Sequence, residues 1–89
     1  MEEDQIEPQA HWNLALSYQR LENYEKAKAE FLTAYPNFQD NPDFLKQMLT
    51  FFREMSDWTT VKAILERYLQ IVPEDSEMQS LYEELKSEE

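Results

Sequence analysis

Large apolar residues recur every three or four positions along five stretches of this chain, and Pro, Asn and Asp punctuate the gaps between them. That spacing lays one side of a helix against a core. The first stretch, 8–21, opens on Pro8, whose missing N–H would have found no intrahelical partner in a first turn. Glu22 and Asn23 turn the chain, and Asn23 can cap a second helix over 24–35. Pro36 predicts the end of that helix and a loop over 36–41, with Phe38 filling the gap between two units. Asn41-Pro42 repeats the cap-then-proline start and opens a third helix over 42–55. Asp57 caps a fourth over 58–72, Pro73 stops it, and Asp75 caps a fifth reaching about residue 86.

The pattern also repeats at a longer period. Sliding 8–35 forward by 34 residues lays Pro8 on Pro42, Leu14 on Met48, Tyr18 on Phe52, Leu21 on Met55, Asn23 on Asp57, Tyr24 on Trp58 and Phe31 on Leu65. Apolar positions meet apolar positions at a fixed step, which marks a stacked helix-turn-helix array.

The residues in the echo resemble the tetratricopeptide repeat (TPR) family: Trp12, with His11 in the expected aromatic slot, then Leu14, Ala15, Tyr18, Ala27, Phe31 and Ala34. The first unit has Gln39 where the pattern closes on proline. In the second unit Met48, Phe52, Leu65 and Pro73 fit, while Leu49, Val61 and Tyr68 replace small residues. The resemblance implies an all-α fold, a TPR-like helical solenoid of two helix-turn-helix repeats and a C-terminal capping helix in a right-handed superhelical stack. It divides the chain into an acidic, disordered tail over 1–7, a first repeat over 8–41, a degenerate second repeat over 42–75, and a capping helix with an acidic tail over 76–89.

At about 100° per residue, His11, Leu14, Tyr18 and Leu21 share one stripe and are expected to face the second helix. Leu14, Ala15, Tyr18, Leu21, Tyr24, Ala27, Phe31, Phe52, Trp58, Val61, Leu65 and Tyr68 form the expected core. Trp12 and Leu16 fall on the other side of the first helix, with Gln9, Gln19 and Arg20, and Asn13 beside them. The equivalent side of the third helix carries Asp43, Lys46, Thr50, Arg53 and Glu54, with Gln47 beside it. In TPR-like stacks the first helices line a concave groove. The resemblance therefore implies that Trp12, Asn13, Leu16, Gln19, Arg20, Lys46, Gln47, Thr50 and Arg53 contact a partner, a peptide segment or protein surface with apolar and acidic residues. The structural alternative is self-association, or stacking within a longer array, through Trp12 and Leu16. A peptide-sensing domain of a regulator is a third reading.

Charge narrows the partner. The chain carries −11, but four acids lie within 2–7 and seven acids against one base within 74–89, so the body over 8–73 is nearly neutral at −1. Such a balance argues against a nucleic-acid backbone as partner, which needs clustered Lys and Arg. The acidic N-terminus is unlike a signal peptide and no apolar run approaches membrane-spanning length, so no membrane partner and a cytoplasmic location are expected.

Catalysis has little to work with. The chain has no cysteine and no glycine, which removes thiolate chemistry and Gly-rich phosphate loops. His11 is the lone histidine and reads as a packed or hydrogen-bonded residue. Pairs such as Glu74-Asp75 and Glu83-Glu84 are sequence neighbours that point apart on a helix. No enzymatic activity, metal or cofactor is expected.

Overall fold

A computed structural model describes residues 7–87; the acidic segment predicted as a disordered tail lies, apart from Glu7, outside the described residues, as do the last two acids. Five helices follow in order: α1 (Pro8–Arg20), α2 (Tyr24–Phe38), α3 (Pro42–Glu54), α4 (Trp58–Ile71) and α5 (Ser76–Ser87). No strand occurs among the described residues. The chain divides into two compact units, one ending at Phe38 and the other beginning at Gln39.

The helix boundaries follow from local chemistry. Asn41 sits in extended backbone and its Oδ1 accepts from the N–H groups of Asp43 (2.9 Å) and Phe44 (3.2 Å), satisfying two of the donors a helix start leaves open. Asp57 accepts from the Thr60 N–H at 3.3 Å and, through its other oxygen, from the Thr60 hydroxyl at 2.9 Å. Asp75 accepts from the Met78 N–H at 3.2 Å. Both intra-repeat turns close alike. The N–H of Glu22 donates to Gln19 O and that of Asn23 to Tyr18 O, and 34 residues on Ser56 donates to Arg53 O and Asp57 to Phe52 O. This pair of bonds, with a left-handed residue at Glu22 (φ 62°) and Ser56 (φ 58°), is a Schellman ending built without glycine.

One boundary departs from the sequence reading. Helix α2 does not end at Tyr35; it carries Pro36 inside it and runs on to Phe38. A proline this near a helix end forfeits one backbone bond. Continuing the helix brings the Phe38 ring onto Trp12, with centroids 4.9 Å apart and planes tilted by 59°. An aromatic pair of this kind contributes about 0.5–1.5 kcal/mol beyond its buried area, which offsets part of that loss.

The units differ in how much they bury. In the first, α1 lies against α2, and the buried apolar residues are Ala15, Ala27, Phe31 and Ala34. In the second, α4 lies between α3 and α5 and the core holds Phe44, Leu45, Met48, Leu49, Phe51, Phe52, Val61, Ile64, Leu65 and Tyr68. The α3 contribution spans an arc of about 160° at 100° per residue, leaving Asp43, Lys46, Thr50, Arg53 and Glu54 exposed on the remaining face. The Arg67 guanidinium ties α4 to the start of this unit by donating to Gln39 O at 3.0 Å and to the Asp40 carboxylate. On α5 the half-buried residues are Met78, Leu81, Tyr82 and Leu85, the stripe that its sequence spacing predicts.

Several expected core positions lie outside. Leu14 is 37% exposed, Leu21 75%, Tyr24 37% and Trp58 45%, and Tyr18 is half-buried. The inward face of α1 is centred on Ala15, about 80° round from the stripe of large residues. The physical reason is distance: small residues let two helix axes approach, so Ala15 on α1 and Ala27 on α2 take the fully buried positions and the larger leucines swing aside.

Candidate functional site

On α1 the rotation redistributes the predicted partner-contacting residues. Asn13 and Arg20 are exposed, with Gln9 Nε2 donating to Asn13 Oδ1 at 3.4 Å. Trp12, Leu16 and Gln19 are half-buried, and Trp12 meets Phe38 of α2 rather than lying on the side away from it. The sequence reading placed Trp12 opposite the second helix; the observed face is different because Ala15, not Leu14, leads it. His11 does face α2, its Nδ1 lying 2.6 Å from Glu30 Oε1, with both side chains 23% exposed.

On α3 the predicted residues stay on the solvent side. Lys46, Thr50 and Arg53 are exposed and Gln47 is half-buried. The Thr50 hydroxyl donates back to Lys46 O at 3.1 Å, so it is directed along its own helix. Lys46 also acts at a distance: with the hydrogen bonds from Tyr68 and the Met78 N–H as the larger causes, its charge helps hold Asp75 below the usual carboxylate range.

Trp58 completes this surface. It stands directly after the Asp57 cap, in the first turn of α4, and shares with Thr50, Arg53 and Glu54 a shallow depression of about 330 Å³. A cation, a hydroxyl, a carboxylate and an indole face thus meet in one place, with Met55 40% exposed at the end of α3. Sequence reasoning assigned Trp58 to the core because it is large and aromatic. The signal that it overlooked is position: first-turn residues have no preceding turn to pack against, and the equivalent Tyr24 is exposed as well.

At the junction of α4 and α5, the Tyr68 hydroxyl donates to Asp75 Oδ2 at 2.7 Å. Burial, then this bond and the neighbouring carboxylates, push the Tyr68 phenol up to about 12. Tyr82 donates to Glu66 Oε2 at 2.9 Å, which raises its phenol through that bond first and burial second, and Lys86 Nζ lies 5.5 Å from the Tyr82 ring centroid. These contacts fasten α5 to α4. Among the described residues no three His, Cys, Asp or Glu side chains converge as a metal site, and no helix is long and apolar enough to cross a membrane.

Comparison with known proteins agrees with the architecture. The family model for YpiA-like, C-terminal tetratricopeptide repeats matches residues 8–75. The chain is similar to the TPR repeat-containing protein YpiA of Bacillus subtilis (strain 168), at 30% identity over 73 residues, which is 82% of this chain and 17% of that protein. The chain therefore spans about a sixth of that relative's length. No solved structure matches.

Proposed function

The chain belongs to the tetratricopeptide repeat family, whose domains mediate protein–protein interactions, and on that premise we propose that it is a non-catalytic adaptor or scaffold module that holds a short apolar segment carrying Asp or Glu. The observation that carries this reading is the exposed Trp58 beside Arg53 and Thr50. Trp and Arg are the residue types on which binding energy concentrates, and an indole 45% exposed at a depression offers apolar area that a ligand can cover. On α3 the contacts are assigned to Lys46, Gln47, Thr50 and Arg53; in the other unit Asn13 and Arg20 are the exposed contact candidates of α1, and Trp12, Leu16 and Gln19 are half-buried there. Glu54 beside Arg53 selects for a single carboxylate placed at the guanidinium rather than for a run of acids.

The test is selection from a displayed peptide library on the full chain, followed by calorimetric titration of the selected peptides. Apolar sequences with one or two acids are expected. Trp58→Ala should weaken their binding by about tenfold or more, and Arg53→Glu by several-fold, with the denaturation midpoint of both variants little changed. Selection of basic sequences, or full affinity in Trp58→Ala, overturns the assignment.

A further inference from the structure

The exposed face of α3 is divided by sign. At about 100° per residue, Lys46 and Arg53 fall within about 20° of each other on one edge, and Asp43 and Glu54 within about 20° on the other, roughly 80° away. Thr50 lies between the edges, its hydroxyl donating to Lys46 O along its own helix. Among the described residues neither Lys46 nor Arg53 stands within ion-pair distance of a carboxylate. The two cations are separated by two helical turns, about 10.5 Å along the axis. Trp58 adjoins the Arg53 end, where the depression forms.

Resting on the reading of the Trp58 surface as a site for apolar and acidic segments, we propose that this face takes a helical segment of a partner protein. The segment carries two carboxylates at positions i and i+7 on one flank, and an apolar residue one turn beyond the carboxylate that meets Arg53. Two features select a helix. The surface consists of side chains on a helix whose own backbone groups are spent within it, so it has no free edge on which main-chain bonds could hold an extended segment. A segment that leaves water here has to satisfy its own N–H and C=O groups, as a helix does. The second feature is the step. Residues i and i+7 of a helix also lie about 20° and about 10.5 Å apart, so one segment laid along α3 in either direction brings a carboxylate to each cation. The anionic edge limits the charge: acids on both flanks of the ligand would set one row of them against Asp43 and Glu54, so acids on a single flank are preferred.

Titration of the isotopically labelled full chain with Ala-based helical peptides, followed by NMR shifts, tests the register. One peptide carries Glu at i and i+7 with Leu at i−4 and i+11, so that either direction offers Leu to Trp58. A second moves the later Glu to i+5, and a third keeps the first pattern but places Pro at i+3. The i, i+7 peptide is expected to bind roughly three- to tenfold tighter than the i, i+5 peptide, a range that two exposed ion pairs supply. The Pro peptide should lose that advantage. In Lys46→Glu/Arg53→Glu the preference should pass to a peptide with Lys at i and i+7, a gain that a damaged fold does not give. Equal binding of the two Glu spacings, an equally tight Pro peptide, or no gain for the Lys peptide overturns the helical register. Shifts at α3 that follow the concentration of the chain alone would assign the face to a second copy and overturn it as well. Spacing-independent binding that is lost in Trp58→Ala removes the register and leaves the peptide site standing, whereas the absence of any binding by the Glu peptides removes both.

Discussion

Glu22 and Ser56 occupy the left-handed region at equivalent points of the two repeats, where a Cβ crowds the following carbonyl. The chain has no glycine to relieve this, so each turn carries a local strain that its two backbone hydrogen bonds overcome. Relief of the crowding is worth about 1–2 kcal/mol, against about 0.4–1 kcal/mol from the extra freedom that glycine gives the unfolded chain. Ser56→Gly should therefore stabilise the protein by roughly 0.5–1 kcal/mol. Urea unfolding should show a higher midpoint with an unchanged slope, and Ser56→Val, which is branched at the crowded atom, should lower it. At the same scale Trp58 shows how position decides burial: in the first turn it flanks the apolar arc of α4 and stands exposed instead of in the core.

Among the elements, the join between α4 and α5 carries titratable groups shifted in opposite directions. Tyr68 and Asp75 share a 2.7 Å hydrogen bond in which the phenol must keep its proton and the carboxyl must lose its own. The Tyr68 phenol rises from an ordinary 10.0 to about 12, so its contribution is complete below pH 10 and is lost as the pH rises through 12. Asp75 is shifted the other way: its contribution is complete above its ordinary 3.8 and is lost as the pH falls through the lower folded value. Tyr68→Phe should flatten the alkaline fall between pH 10 and 12 and return Asp75 towards 3.8, measurable by thermal unfolding across pH and by carboxyl titration in NMR. An alkaline limb as steep in Tyr68→Phe as in the wild type would show that another group governs it.

For the whole molecule, the contrast in core size sets the order of opening. Backbone protection depends on the apolar area a segment must expose to unfold, and the first unit buries three alanines and one phenylalanine where the second buries ten larger residues. Amide hydrogen exchange should therefore proceed in α1 and α2 at lower free energy than in α3 and α4. Equal protection in both units at low protein concentration would contradict the burial argument.

The elements themselves were legible in the amino-acid sequence because their causes are local. Asn41, Asp57 and Asp75 cap the helices that follow them, the 34-residue step matches the two turns, and the polar face of α3 is separated from its apolar arc by composition alone. Two things needed the tertiary structure. Helix α2 runs past Pro36 because an aromatic contact from another helix, Trp12 on Phe38, adds to a balance that backbone propensity alone would have decided the other way. The inward face of α1 is the second. Periodicity ranks residues by size and hydrophobicity, which favours Leu14 and Leu21, whereas two helices settle at the closest approach their surfaces allow, which favours Ala15 and Ala27. That choice depends on both helices at once, and it moved Trp12 inward and left Leu14 and Leu21 exposed.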